Sequence, residues 1–446
     1  MYRLWGAVFL TLLVLAGAGS MAAKAVEQTP AFGFVGAEIQ PVSLTEAQAL
    51  GMAAPRGVFV RDLVTWGPAY RAGLRRGDVV LDYAGVPVTG LQHLIGLVQG
   101  SRPGDRVSIV RRRLGQEDSL SLTLSAYPPG WSVRTESASV VPRLGLTLAA
   151  LTPKVRERAG LRWGARGLVI TDVAAGSEAA RLGLIPGEVL VAADGVRLVD
   201  PATAERALLD AALVVVEGRR GFRALIVDAS APPLPPSVMA AGVSWQAVPG
   251  QGVLVLDVAH RTPGAEAGLR TGDLVTHVDG VSALDSEAVA ALALTPVTAT
   301  VVGLEDAAPR RVDWSPEPAA TLAETVQVIP VLGGVVASLS PSLRDSFALR
   351  PVSRGTVVTS VAADGRAAEA GLRPGLIIVA VNQRFVDHPR EVEDELADAL
   401  ARKAAEVVLL IEGPQGYRIV GLPLTAAERS PPPSPGLLQW QGEAAE

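Results

Sequence analysis

The 446-residue chain holds four histidines and no cysteine, and these two facts bound most of the chemistry it could do. Disulfides, thiolate metal sites, c-type haem attachment and a lipidated N-terminal cysteine are excluded. A Ser-His-Asp triad needs a nucleophile beside an oxyanion-forming turn and a histidine oriented by a carboxylate. Neither Gly-Asn-Ser-Gly-Gly nor Gly-x-Ser-x-Gly occurs. His93, His260, His277 and His388 share no recurrent spacing, so no paired-histidine metal site is expected. The lysines are Lys24, Lys154 and Lys403. The last two read as helix surface, which leaves a Ser-Lys arrangement unsupported. Arg111-Arg112-Arg113 reads as the solvated end of a strand rather than a phosphate site. A net charge of −5 gives no sign of nucleic-acid binding. The expectation is a protein without catalysis, metal or cofactor.

The residue whose spacing does recur is glycine. Gly57, Gly167, Gly252 and Gly355 are each followed sixteen residues later by Gly73, Gly183, Gly268 and Gly371. Four residues on come Gly77, Gly187, Gly272 and Gly375, and eight beyond those Gly85, Gly195, Gly280 and, in the fourth copy, Gln383. Glycines at turn positions with drifting side chains between them mark a structural repeat. Its period of about a hundred residues makes each copy domain-sized.

Each copy reads as short apolar strands and two helices, a small α+β domain or partly open barrel. The predicted boundaries are 32–126, 142–228, 238–314 and 331–425, referred to below as repeats 1 to 4. Pro-containing linkers, Tyr127–Val141, Ala229–Ser237 and Ser315–Pro330, separate them. The Pro-rich tail 426–446 is expected to be disordered. Helices are predicted at Leu44–Gly51, from Thr152-Pro153, and near Pro341–Leu349. In repeat 3 only ten residues separate Gly242 from Gly252, against 21 or 22 elsewhere (36 to 57, 145 to 167, 333 to 355). Repeat 3 is therefore the shortest and should lack this helix. A cationic start, an apolar run and Ala23-Lys24-Ala25 make residues 1–25 read as an export signal, with a single membrane anchor as the alternative.

The residues also carry a resemblance. The first recurring element is Val35-Gly36-Ala37, Leu144-Gly145-Leu146, Ala241-Gly242-Val243 and Gly333-Gly334-Val335. The second includes Ala72-Gly73-Leu74-Arg75-Arg76-Gly77-Asp78 and Ala267-Gly268-Leu269-Arg270-Thr271-Gly272-Asp273, with Leu182–Glu188 and Ala370–Leu376 more altered. Together they resemble PDZ domains, in particular the bacterial, circularly permuted form of the HtrA protease family, over nearly all of 32–425. No trypsin-like protease domain is expected beside them, because the repeats begin at Phe32.

The resemblance implies four tandem PDZ-like domains that bind an extended peptide by strand addition beside a helix. The terminal carboxylate would be held by backbone amides of the first element, at Gly36, Gly145, Gly242, Gly333 and their neighbours. The groove helices would be Leu91–Val98, Ala202–Leu209, Glu287–Leu292 and Glu391–Leu396, presenting Leu94, Val98, Ala204, Leu208, Val289, Val392 and Leu396. The same apolar pairs could be plain core. The Gly-Leu-x-x-Gly-Asp framework reads as structural, with Asp78 and Asp273 fixing a turn by local hydrogen bonds. Leu376 cannot do that, so repeat 4 should be the most altered there. The expected role is an exported, periplasmic, possibly membrane-tethered scaffold for peptides or C-termini of envelope proteins. Two alternatives stand beside it: a non-catalytic regulator or subunit of an HtrA-like protease, and a purely structural array with degenerate, filled grooves.

Overall fold

A computed structural model describes residues 32–64, 67–128, 130–131, 136–228, 231–284, 288, 292, 295–304, 306, 308–316, 324–424 and 437–438. The N-terminal segment 1–25 and Val289 lie outside these residues. Each repeat forms one antiparallel sheet. In repeat 1 the strand order is Ala37–Pro41, Val58–Leu63, Val79–Tyr83, Arg106–Arg113, Gln116–Thr123, with the short Val86–Pro87 turned back on Val79–Tyr83. The other three sheets repeat this order. Most of the described residues in regular structure are strand.

Local sequence explains the helices. Leu44–Ala49 starts at a capping box in which Ser43 accepts from the amide of Glu46 and the Glu46 carboxylate reaches back to the amide of Ser43. Pro153–Arg158 and Pro341–Ser346 have Pro in the first turn behind Thr152 and Ser340 caps. Repeat 3 has no counterpart among the described residues: Val243–Val248 turns through Gly250 straight into Gly252–Val258. A longer amphipathic helix closes repeats 1, 2 and 4 at Leu91–Gln99, Pro201–Leu209 and Pro389–Ala401.

The framework acid has a partner that the sequence did not disclose. Asp78 accepts from the amide of Arg75 at 2.8 Å and pairs with Arg113 at 2.6 Å. Glu188 does the same with the Ile185 amide and Arg223, and Asp273 with the Arg270 amide and Arg310. In repeat 4 Leu376 stands in the acid's place, and Arg418 donates instead to the carbonyl of Gly371 at 2.7 Å. The run Arg111-Arg112-Arg113 is therefore not a solvated strand end. Arg111 and Arg113 turn onto Asp78, and Arg112 donates to the carbonyls of Leu50 and Gly115.

The central strands Val189–Ala193, Gly252–Val258 and Ile377–Val381 are buried on both faces. One face covers the repeat's own helices. The other packs against a neighbouring repeat: Phe59, Val79 and Leu81 of repeat 1 meet Ile377, Val379, Val408 and Leu410 of repeat 4. Val169, Val191 and Val215 of repeat 2 likewise meet Val248, Leu254 and Leu256 of repeat 3. At roughly 1.5–3 kcal/mol for each fully buried Val, Leu or Ile, these contacts outweigh any freedom the Pro-rich connections allow. The linkers thus join packed units rather than spacing independent ones. Gln383, which stands where the other repeats have glycine, is part of this packing. It keeps the left-handed backbone (φ +69°). Its side chain donates to the carbonyls of Gly77 and Arg112 and accepts from the amide of Leu114, all in repeat 1.

Candidate functional site

The loop carrying Gly36, Gly145, Gly242 and Gly333 has one conformation in all four repeats, with φ between +69° and +76°. The glycine carbonyl is fixed the same way each time, and the carbonyl before it in three of the four. Gly36, Gly145, Gly242 and Gly333 accept from Val64, Ala174, Ala259 and Ala362. Val35, Leu144 and Leu332 accept from Ala69, Ala179 and Ala367, at the start of a one-turn helix. A Cβ on Gly145 would lie 2.4 Å from Cβ of Ser177, and one on Gly242 2.3 Å from Cγ2 of Thr262. Glycine is therefore required here by backbone and packing before any ligand is considered.

The loop amides and the strand that follows distinguish the repeats. In repeats 2, 3 and 4 the segment just before the loop, Ala138–Val141, Val238–Ala240 or Val326–Ile329, forms a strand of its own. It pairs antiparallel with the opening strand, Leu146–Ala150, Val243–Val248 or Gly334–Ser338, on the outer edge. The residues read as the ends of the first and third linkers are thus sheet. In repeat 2 the amides of Leu144 and Gly145 donate to the carbonyl of Val141 at 3.2 and 2.9 Å. In repeat 4 the amides of Leu332 and Gly333 donate to the carbonyl of Ile329, both at 3.1 Å. The amides assigned to a ligand carboxylate are occupied by the chain's own carbonyl. The side chains of Val141 and Ile329 are fully buried in the core beside Leu208 and Leu396 respectively. In repeat 4 the added strand is also tied to the helix, through Gln327 to Glu393 and Thr325 to His388.

Repeat 1 is built differently. The amide of Gly33 donates to the carbonyl of Ser101, and Phe34 pairs with Ser125, so the chain enters from the far side of the sheet. Phe34 packs on the rings of Tyr127 and Trp131, 4.9 and 5.1 Å away, which holds that course. Among the described residues no strand covers the outer edge of Ala37–Pro41, and the amides of Val35 and Gly36 have no acceptor. Ile39 is half-buried, whereas Leu148, Trp245 and Val336, at the same place in the other repeats, are fully buried. Val98 across the groove is also half-buried, while its counterparts Leu208 and Leu396 are buried. Leu94, Ala204 and Val392 are core in every case.

A PDZ domain family model matches residues 59–113. The chain carries a PDZ domain. A probable periplasmic serine endoprotease, DegP-like, from Chlamydia muridarum is 30% identical over 166 residues, 37% of this chain and 32% of that protein. The protein of the same description from Halomonas elongata is 32% identical over 161 residues, 36% of this chain and 33% of that protein. The chain thus spans about a third of the length of these relatives, and its repeats are similar to HtrA-type PDZ regions. Among solved structures, the HtrA-type protease AlgW with decapeptide is 32% identical over 22% of this chain and 30% of that one, with a TM-score of 0.21. The HtrA3 PDZ domain bound to a phage-derived ligand is 17% identical over 21% of this chain and 86% of that one, with a TM-score of 0.19.

Sequence reasoning missed the added strands, although a signal was present. Val141-Pro142-Arg143-Leu144-Gly145 and Ile329-Pro330-Val331-Leu332-Gly333 share one pattern, and repeat 1 has Phe32 and Gly33 in place of the β-branched residue and Pro. By sequence Pro142 opens repeat 2 and Pro330 ends the third linker, whereas in the structure each turns one strand into the next.

Among the histidines, His93 contacts Thr89 at an exposed helix start, and His388 caps Pro389–Ala401. His260 was not singled out by sequence, yet it lies where the repeats converge.

Proposed function

We propose that the chain is a non-catalytic array of four PDZ-like domains of the permuted bacterial type, in which repeat 1 alone keeps a peptide-binding edge. Its ligand is an extended segment or free C-terminus of an envelope protein, added as a strand along Ala37–Pro41 beside Leu91–Gln99. Repeats 2 to 4 are structural, their edges filled from within. One observation carries this reading: among the described residues no strand covers the outer edge of Ala37–Pro41, whereas Ala138–Val141, Val238–Ala240 and Val326–Ile329 cover the equivalent edges of repeats 2 to 4. The periplasm is the compartment proposed, in keeping with the names of the relatives.

Full-length protein titrated with a library of C-terminal peptides tests the reading, each hit being repeated with the terminus amidated. Binding should be on the order of micromolar, weaken on amidation, and vanish in Val98→Glu but not in Ala202→Glu, whose exposed position lies in repeat 2. Hits that survive amidation would assign internal-strand recognition to the same edge. No binding by any peptide would leave only the structural array.

A further inference from the structure

Beyond the peptide edge, the four repeats meet around a polar cavity of about 130 Å³. Every repeat contributes a charged side chain: Asp62 and Arg76 from repeat 1, Arg162 and Glu217 from repeat 2, Asp257 from repeat 3, Arg350 and Glu412 from repeat 4. This volume is several times the roughly 30 Å³ share of one water molecule in the liquid, so the space admits a small polyatomic ligand.

The chemistry of the lining is one-sided. Each carboxylate already has a partner. Asp62 accepts from Arg76 Nε at 2.7 Å, Glu217 from Arg162 Nε at 2.8 Å, and Asp257 from Arg350. Glu412 accepts from Ser353 Oγ at 2.6 Å and from the hydroxyl of Tyr417 at 3.2 Å. No acid is left to draw in a cation, and no metal-holding cluster occurs among the described residues. Donors, by contrast, are in surplus. A guanidinium carries five N–H bonds. Arg76 and Arg162 use only Nε and Nη2 on their carboxylates, and Arg350 uses Nη2 while its Nε has no partner. His260 reaches the same space between the rings of Tyr70 and Tyr417, 6.0 and 6.4 Å away. Its ring nitrogens have no hydrogen-bond partner among the described residues, and burial together with the surrounding arginines holds it neutral.

We propose that this cavity binds a small oxyanion of phosphate or carboxylate type, held by the free edges of Arg76, Arg162 and Arg350. Planar guanidinium forks match such anions in shape as well as charge. Because the site exists only when all four repeats are docked, the anion stabilises the docked array by mass action. This inference is independent of the peptide edge on repeat 1.

Full-length protein is titrated with sodium phosphate and, separately, sodium acetate, against sodium chloride at matched ionic strength. Tm and tryptophan emission are both recorded. Trp131 and Trp163 line the cavity with their rings 4.9 Å apart, so emission reports occupancy directly. One of the two oxyanions should give a saturable rise in Tm and an emission change with the same midpoint. In the double variant Arg350→Met/Asp257→Asn, which removes a pair without stranding a charge, that midpoint should rise at least roughly tenfold, a change well clear of assay scatter. If that variant does not fold, Arg162→Gln/Glu217→Gln replaces it. A response that matches chloride, or a midpoint unchanged in the double variant, overturns the proposal.

Discussion

Gln383 offers the sharpest test of how repeats 1 and 4 are joined. Its side chain is buried, and its amide spans the boundary with bonds of 2.7 Å to the Gly77 carbonyl, 3.2 Å to the Arg112 carbonyl and 2.7 Å from the Leu114 amide. At about 0.5–1.5 kcal/mol net for each bond, the three together contribute about 2–4 kcal/mol. The backbone opposes this: φ is +69°, which costs a non-glycine residue roughly 1–2 kcal/mol. Gln383→Ala loses the bonds and keeps the strain, so it should destabilise by about 2–4 kcal/mol. Gln383→Gly loses the bonds but relieves the strain, and should fall between wild type and Ala, roughly 1 kcal/mol above Ala. Urea denaturation of the full chain gives the order, and hydrogen exchange localises it, since the Leu114 amide should lose protection in both variants. If Gln383→Ala is as stable as wild type, the cross-repeat bonds contribute nothing and the assignment of Gln383 as a tie is wrong.

Three further outcomes follow from the same structure. Ile329→Ala, at a fully buried position of the added strand in repeat 4, should cost about 2–5 kcal/mol in denaturant unfolding, whereas Val328→Ala, 65% exposed next to it, should stay within about 0.5 kcal/mol. Gly145→Ala adds a clash with Ser177 to its positive φ, so it should cost more than Gly183→Ala, where φ is the same +69° but nothing lies within 4 Å; equal costs would show that the loop relaxes freely. Burial, together with Arg76 and the other arginines around it, holds the folded-state pKa of His260 well below the ordinary 6.5 of a free imidazole, so the stability it contributes is complete above the unfolded pKa and is lost as pH falls through the window below 6.5. The slope there, up to about 1.4 kcal/mol per pH unit, should disappear in His260→Gln, and a slope that persists would assign acid sensitivity to other groups.

Much of the fold was legible because turns speak locally. The recurring glycines sit where φ is positive, and caps such as Ser43 with Glu46 or Thr152 with Pro153 mark helix starts within a few residues. The partners of the framework acids were not legible, since Arg113, Arg223 and Arg310 lie 35 to 37 residues downstream of Asp78, Glu188 and Asp273. Packing between repeats was half-legible. Val189–Ala193, residues 252–256 and Ile377–Val381 are apolar without alternation and prove buried at every residue, which is the mark of a strand covered on both faces. That pattern contradicted independent domains on flexible linkers, and reading the prolines as spacers hid it. Gln383 looked like decay of a motif because its use lies some 300 residues away, on Gly77.

The filled edges follow from a general liability of sheets. An open strand edge displays unpaired amides and carbonyls and invites any extended chain, and a chain with four such edges would invite four. Repeats 2 to 4 close theirs with the three or four residues immediately upstream, which the turn Pro-x-Leu-Gly or Ala241-Gly242 places in register at almost no loop-closure cost. A strand supplied this way is effectively present at very high local concentration, so a free peptide competing for the same edge would have to displace a covalently attached rival whose Val141 or Ile329 already fills the pocket. Repeat 1 escapes because Phe34, Tyr127 and Trp131 hold the incoming chain on the opposite side. Its edge stays open because of where those aromatic rings are; the loop itself has the same positive-φ glycine, and the same bond accepted by that glycine's carbonyl, as the other three. Which edge is open is thus set by the path of the residues before each loop.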